Sequence, residues 1–188
     1  VPKNDEFFSE YAAKDRLKII SNFSGSAGLA IISKKSNYLF VDGRYTIQAK
    51  QQSGKLFKTI EIHKFLPKDI IKNLKLGFDP SLFTKSNLIT YFGSSLKLIS
   101  IKNNLIDEIY KSKPVKNKPF YSLNKKDVGE SHHSKINKIS KILKLKKADY
   151  LFVSSPENSA WLLNIRGYDN PNSPIPNCRL LINKNKNV

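Results

Sequence analysis

The sequence predicts an α/β fold, a mixed sheet flanked by helices, followed by the start of a second, similar α/β unit. Three observations carry this reading. Short β-rich apolar runs alternate with stretches of helical spacing. One segment rich in lysine and proline interrupts the alternation, and the order of elements before it recurs after it.

Leu29 to Ser33 and Tyr38 to Val41 are strands joined by the polar turn Lys34-Lys35-Ser36-Asn37, which reads as a hairpin. Asp42-Gly43 ends the second strand, Arg44 to Gln52 takes helical spacing, and Ile60 to His63 returns to a strand. Pro67 opens a helix expected to reach Leu74. A strand at Leu76 to Asp79, a helix from about Ser81 to Tyr91, a strand at Leu96 to Ile101 and a helix at Asn104 to Tyr110 follow. The segment Lys111 to Pro119, KSKPVKNKP, is the linker candidate. Beyond it, Ser134 to Leu145 carries Ile136, Ile139, Ile142, Leu143 and Leu145 at near-helical spacing. Tyr150 to Ser154 reads as a buried strand, Pro156 to Leu163 as a short helix, and Arg179 to Ile182 as another strand. The expected domains are therefore 1–113, a linker at 114–119, and 120–188.

The two halves echo each other. Ile19-Ile20 runs into Asn22-Phe23-Ser24-Gly25 and then LAII, while Trp161-Leu162-Leu163 runs into Asn164-Ile165-Arg166-Gly167 and then RLLI. Placing Val153 opposite Val1 leaves the first half without a strand and helix before Val1, and the second without a match to YLFVDGRY. The expectation is a natural protein that extends both ways.

Composition narrows the classes. With 188 residues, 39% apolar and 11% aromatic, the chain has material for a core. No run of about 18 uncharged apolar residues occurs and the start shows no basic-then-apolar leader, so no membrane partner is expected and the expected compartment is cytoplasmic. The single Cys178 fits a reducing compartment and reads as a half-buried thiol at a strand start. The net charge of +18 invites a nucleic-acid partner. It is nearly all lysine spread along the chain, with arginine only at Arg16, Arg44, Arg166 and Arg179, whereas bidentate phosphate contacts favour arginine. Solvated lysine is the plainer reading, and no nucleic-acid partner is expected.

Four stretches, taken in order, resemble the Xaa-Pro aminopeptidase family of the creatinase and prolidase superfamily. They are Val1-Pro2 with Glu10-Tyr11 and Phe23-Ser24-Gly25-Ser26-Ala27-Gly28; Val41-Asp42-Gly43-Arg44-Tyr45-Thr46 with Gln48-Ala49; Gly77-Phe78-Asp79-Pro80 leading to Asn104 through Tyr110; and Glu157 through Gly167. Each is a modest signal; their order and spacing make the resemblance. It implies the three-domain form of the family, with a creatinase N-terminal-like domain and a similar second domain preceding a pita-bread catalytic domain. That domain would hold two divalent metal ions, commonly manganese, on two Asp, one His and two Glu, and would act on peptides with proline second, in a homodimer. None of those ligand motifs occurs here, so no catalytic residue and no metal ligand is expected in these residues. The role implied is accessory: limiting active-site access and supporting assembly. A catalytically inactive scaffold homologue and, further off, a basic nucleic-acid-binding module are the alternatives.

Each motif also has a physical reading. Ser24 to Gly28 could cradle a phosphate, but no GKS or GKT ending follows, and a tight structural turn explains its small residues. Asp42 is placed to cap the helix that follows it. Arg44 is open to pairing with Asp42, to a carboxylate of a neighbouring domain, or to a peptide carboxylate. Asp42, Arg44, Tyr45 and Arg166 are the candidates for substrate access or a domain interface. Asp42, His63 and Asp169 fall on separate elements without ligand spacing, and His132-His133 reads as an exposed helix start whose rings do not face each other. Trp161, Leu162, Leu163 and Ile165 read as core.

Overall fold

The computed structural model describes residues 1–3, 15–94, 96–111, 118–169 and 173–188. Two compact units divide the chain, Val1–Lys113 and Pro114–Val188. Residues 114–117 of the expected linker lie outside the described residues.

In the first unit, helix α1 (Arg16–Ser21) leads to β1 (Gly28–Ile32), which pairs antiparallel with β2 (Asn37–Val41). A 3₁₀ turn (Gly43–Tyr45), α2 (Thr46–Ser53) and a second 3₁₀ turn (Gly54–Leu56) then carry the chain to β3 (Lys58–Glu61), parallel to β2. Alternation along β1 and β2 sends residues to opposite faces of this sheet, and both faces are filled. Leu29, Ile31 and Phe40 pack on one side with Ile71, Leu82, Phe83 and Phe92. Ala30, Leu39 and Val41 pack on the other with Leu17, Phe23, Ala49 and Phe57. Helix α3 (Pro67–Ile70), β4 (Lys75–Phe78), α4 (Lys85–Phe92), β5 (Lys97–Ser100) and α5 (Leu105–Ile109) complete the unit, with β4 and β5 parallel. A bidentate pair fastens α1 to α5: Arg16 Nε and NH2 donate to the two Asp107 oxygens at 3.0 and 2.7 Å.

Two helices are shorter than their spacing predicts. Helix α3 ends at Ile70 because Ile71 turns extended to bury its side chain, and Asn73 follows in the left-handed region (φ 55°). Helix α4 begins only at Lys85. Pro80–Leu82 forms one 3₁₀ turn capped by Asp79, Phe83 is extended to reach the core, and Thr84 accepts from Asn87 N as the true cap.

The second unit holds β6 (Phe120–Ser122), α6 (His132–Leu145), β7 (Tyr150–Val153), α7 (Pro156–Leu163), β8 (Ile165–Gly167) and β9 (Leu180–Asn183). β6 pairs with β8 and β7 with β9, both antiparallel. Ser131 caps α6 and Ser155 caps α7, where Pro156 stands at the first turn. Ile136, Leu162, Leu180 and Ile182 form the core, with Ile139, Val153 and Leu163 against it; Ile142 and Leu145 point outward.

Strand β7 is not buried as its apolar run suggests. Tyr150, Leu151 and Phe152 are 60%, 37% and 58% exposed, as is Leu181 opposite Phe152 at 55%. Helices cover only the face carrying Val153, Leu180 and Ile182. Trp161, read from sequence as core, is also exposed, because α7 turns Ala160 and Leu162 inward instead.

The contrast between two-sided and one-sided packing is measurable. Phe40→Ala should cost about 3–5 kcal/mol in denaturant unfolding, by cavity formation. Phe152→Ser, on the open face, should shift stability by no more than about 0.5 kcal/mol.

Candidate functional site

The chain ends of β2 and β3 meet at one polar cluster. Asp42 follows β2 in extended conformation and caps the 3₁₀ turn, its carboxylate accepting from Arg44 N at 2.9 Å. The same Oδ1 accepts from Arg44 Nε at 2.8 Å, and Oδ2 lies 3.3 Å from His63 Nε2. Parallel pairing of β2 with β3 is what brings residues 21 apart together. Asp42 and His63 thus do meet, although their sequence spacing gives no sign of it. The Arg44 guanidinium and backbone amide, followed by His63, hold the Asp42 carboxyl well below the usual carboxylate range, and Asp42 in turn raises Arg44.

Gly43 lies close against Glu61. A Cβ at that position would sit 3.2 Å from Glu61 Oε1, and Glu61 itself pairs with Lys64 at 2.9 Å. Arg44 is 75% exposed in its side chain and stacks over the Tyr45 ring at 5.6 Å. Tyr45 shares a 2.8 Å hydrogen bond with Ser26, and its ring meets Phe23 edge-on at 5.9 Å.

The Ser24–Gly28 turn joins the same constellation. Ser24 N donates to Gln52 Oε1 at 2.9 Å, and Ser24 Oγ accepts from Gln52 Nε2 at 2.9 Å and from Gln48 Nε2 at 3.1 Å. The glycines answer to packing: a Cβ on Gly25 would overlap the Phe23 ring at 2.2 Å, and one on Gly28 would stand 3.0 Å from Leu17. Two motifs that sequence reading treats separately are one connected surface, and the signal for it lay in Gln48 and Gln52, one helical turn apart on α2. Asp42 and His63 also rim a cavity of about 250 Å³ whose walls include Phe40, Phe83 and Tyr91.

The remaining candidates lie elsewhere. Arg166 sits in β8 of the second unit opposite Tyr121, half-buried, with NH1 donating to Ile165 O at 2.8 Å. Asp169 accepts from Asn177 N. His132 and His133 open α6 as expected, yet their rings do face each other, with centroids 4.0 Å apart and planes tilted 37°. Cys178 is half-buried, and desolvation pushes its thiol up. Among the described residues no group of three or more His, Cys, Asp and Glu is placed to hold a metal ion, and no helix is long and apolar enough to cross a membrane.

One lysine escapes the expectation of solvation. Lys135 is buried in α6, donating to Trp161 O at 2.6 Å and Asn164 Oδ1 at 2.7 Å, with its ammonium 3.9 Å from the Trp161 ring centre. Burial lowers its pKa. It closes the end of α7, where Asn164 takes the left-handed conformation.

Comparison with known proteins matches two consecutive models of the creatinase/prolidase N-terminal domain, to residues 11–109 and 111–188. A probable Xaa-Pro aminopeptidase P of Laccaria bicolor is 36% identical over 93% of this chain, and Xaa-Pro aminopeptidase 2 of Homo sapiens 32% identical over 93%. The crystal structure of the Caenorhabditis elegans X-prolyl aminopeptidase, described as a cytosolic enzyme with a di-nuclear active site, superposes with a TM-score of 0.81 at 30% identity, covering 98% of this chain and 32% of that one. The chain spans 30% and 28% of the length of the two curated relatives.

Two substitutions test the local chemistry. Lys135→Ala removes both bonds and leaves Asn164 Oδ1 without its donor, while Trp161 O keeps its bond from Asn164 N, and should cost about 1–3 kcal/mol in chemical unfolding. Asp42→Asn should lower the midpoint at pH 7. A carboxylate held below its unfolded pKa stabilises the fold above that unfolded value and loses the effect as pH falls. The gap between wild type and variant should therefore narrow steadily once the pH falls below the unfolded carboxylate pKa, which thermal melts from pH 7 to pH 2 would follow.

Proposed function

The chain belongs to the creatinase/prolidase N-terminal domain family, and from that premise we propose that it is the non-catalytic amino-terminal part of a metal-dependent Xaa-Pro aminopeptidase. The observation that carries this reading is the superposition on the C. elegans enzyme, which takes in nearly all of this chain and about a third of that one. The relatives' names support the substrate class: peptides whose second residue is proline.

On this reading the chemistry belongs to a pita-bread catalytic domain that is this chain's own covalent partner. Two divalent metal ions there, manganese in our proposal, would supply an activated water and stabilise the oxyanion. The residues here do not split the amide. They shape entry to the site, bind the far parts of longer peptides, and support a homodimer. Domain boundaries at 113 and 120 fit this arrangement, with residues 120–188 as the first part of a second domain. The exposed face of β7 and β9 supports that division, since the matching face in the first unit is covered. A cytoplasmic location follows the C. elegans relative, described as cytosolic.

Arg44 is the residue proposed to meet a carboxylate, either on a peptide or on the catalytic domain. Its Nε is committed to Asp42, which fixes the guanidinium plane while the side chain stays largely exposed. Tyr45 supports it from below, and Arg166 is assigned to an interface.

The test uses two preparations. With manganese added, the 188-residue chain should show no turnover of an Arg-Pro-Pro peptide above the metal-only rate, while a protein joining it to a catalytic domain carrying all five ligands should hydrolyse it. Turnover by the 188 residues alone contradicts the reading. In the joined enzyme Arg44→Gln should raise KM for longer peptides by about tenfold, a loss of about 1.4 kcal/mol, and leave kcat within twofold.

A further inference from the structure

Strands β6 and β8 form a two-stranded ribbon with one closed face and one open face. In its antiparallel register Tyr121 stands directly opposite Arg166, so their side chains share a face. Alternation carried one step past β8 sets Tyr168 on that face too, and its ring meets that of Tyr121 with centroids 5.4 Å apart and planes tilted 36°. Both tyrosines are exposed. Ile165 and Gly167 turn the other way and are buried, and a Cβ on Gly167 would stand 2.7 Å from the Pro176 side chain.

The open face has a fixed base. Asn164, immediately before β8, caps α7; its Oδ1 accepts from Lys135 Nζ at 2.7 Å, its Nδ2 donates to Glu130 O at 2.9 Å, and its carbonyl accepts from Leu123 N at 2.8 Å. These bonds tie both strands of the ribbon to α6 and α7, so the backbone that carries Tyr121, Arg166 and Tyr168 is set before any partner arrives.

No carboxylate pairs with Arg166 among the described residues. Its NH1 donates to Ile165 O at 2.8 Å, which pins the guanidinium and leaves its other N–H groups for a partner. The local field is positive: Lys135, lowered first by burial, is lowered further by the Arg166 charge against the opposing pull of Glu130. That field complements an anion. Of the residues paired across the ribbon only Arg166 is charged, which suits a single carboxylate better than the repeated phosphates of a nucleic acid. A ring slipped between the two tyrosines would need them about 7 Å apart, so a flat apolar group would lie across both instead.

We propose that the Tyr121–Arg166–Tyr168 face docks the carboxyl-terminal end of a proline-containing peptide, with the terminal carboxylate on Arg166 and the adjoining pyrrolidine ring across Tyr121 and Tyr168. Proline packs flat on aromatic side chains and has little backbone freedom to lose. The interface assigned to Arg166 is then one with peptide. The choice of proline rests on the peptidase reading; the carboxylate and the flat ring rest on the ribbon.

The experiment titrates the isotope-labelled 188-residue chain with N-acetyl-Ala-Pro-Pro bearing a free carboxyl terminus and follows amide resonances by NMR. Shifts should centre on Tyr121 and on Arg166 through Tyr168, with a Kd of about 1 mM or lower. The carboxamide of the same peptide and N-acetyl-Ala-Ala-Ala should each bind at least about fivefold more weakly, as should the free acid to Arg166→Gln and Tyr168→Ser, whereas Tyr168→Phe keeps the ring and should stay within about twofold. The carboxamide probes the arginine contact on the unaltered chain, so the answer does not hang on how Arg166→Gln folds. Absence of shifts up to about 10 mM peptide, or equal affinity for acid and carboxamide, would overturn the proposal. So would equal affinity for the alanine peptide, or binding of octathymidylate to the same residues at least about tenfold more tightly than the peptide. The acetylated peptide has no free amine and no turnover is read, so a failure here leaves the peptidase reading standing, and an inactive joined enzyme leaves this binding standing.

Discussion

The burial of both faces of the β1–β2 hairpin is the constraint from which the first unit follows. Leu29, Ile31 and Phe40 can leave water on one side only if Ala30, Leu39 and Val41 leave it on the other, because strand residues alternate. Two layers are therefore needed. Helices α1 and α2 supply one, and α3, α4 and β4 the other. Asp42 takes its place at the end of this doubly buried strand, which is why its cluster with Arg44 and His63 is held on a rigid base although its side chains meet solvent.

The second unit repeats part of this plan. Helices α1 and α7 both end at an asparagine in the left-handed region, Asn22 at φ 58° and Asn164 at φ 56°. Each is followed by a strand that pairs antiparallel with a segment preceding the helix: Pro2 with Leu29 in one unit, Val153 with Leu180 in the other. Matching Val153 to Val1 sets Leu180 against Ala30 and Leu181 against Ile31. Leu180 is packed on α7 as Ala30 is packed on α1. Leu181 is bare where Ile31 is covered. At this matched strand pair, the presence or absence of a second layer separates the units.

Sequence patterns showed the strands, the hairpin turn and the repeat because these are local: alternation and turn residues fall within ten positions. They overstated α3 and α4, where Ile71 and Phe83 leave helical geometry to reach the core. They misplaced Tyr150, Phe152 and Trp161, since an apolar run says that burial is favourable and not whether a partner surface is there. The polar cluster was half legible. Asp42, Arg44 and Tyr45 stood together in one motif, but His63, Ser24 and Gln52 join them only through sheet pairing and loop closure. Lys135 was hidden for a similar reason, its two acceptors lying 26 and 29 residues away. Comparison adds what geometry cannot, membership of the creatinase/prolidase N-terminal domain family, and geometry adds which residues hold the motif together.

Two-sided burial makes a direct claim about local stability, which amide hydrogen exchange reads residue by residue. The amides of Leu39 and Phe40 should exchange only through global unfolding of their unit, at least about tenfold more slowly than those of Phe152 and Leu181 on the one-sided pair. Equal or greater protection at Phe152 and Leu181 would contradict the account.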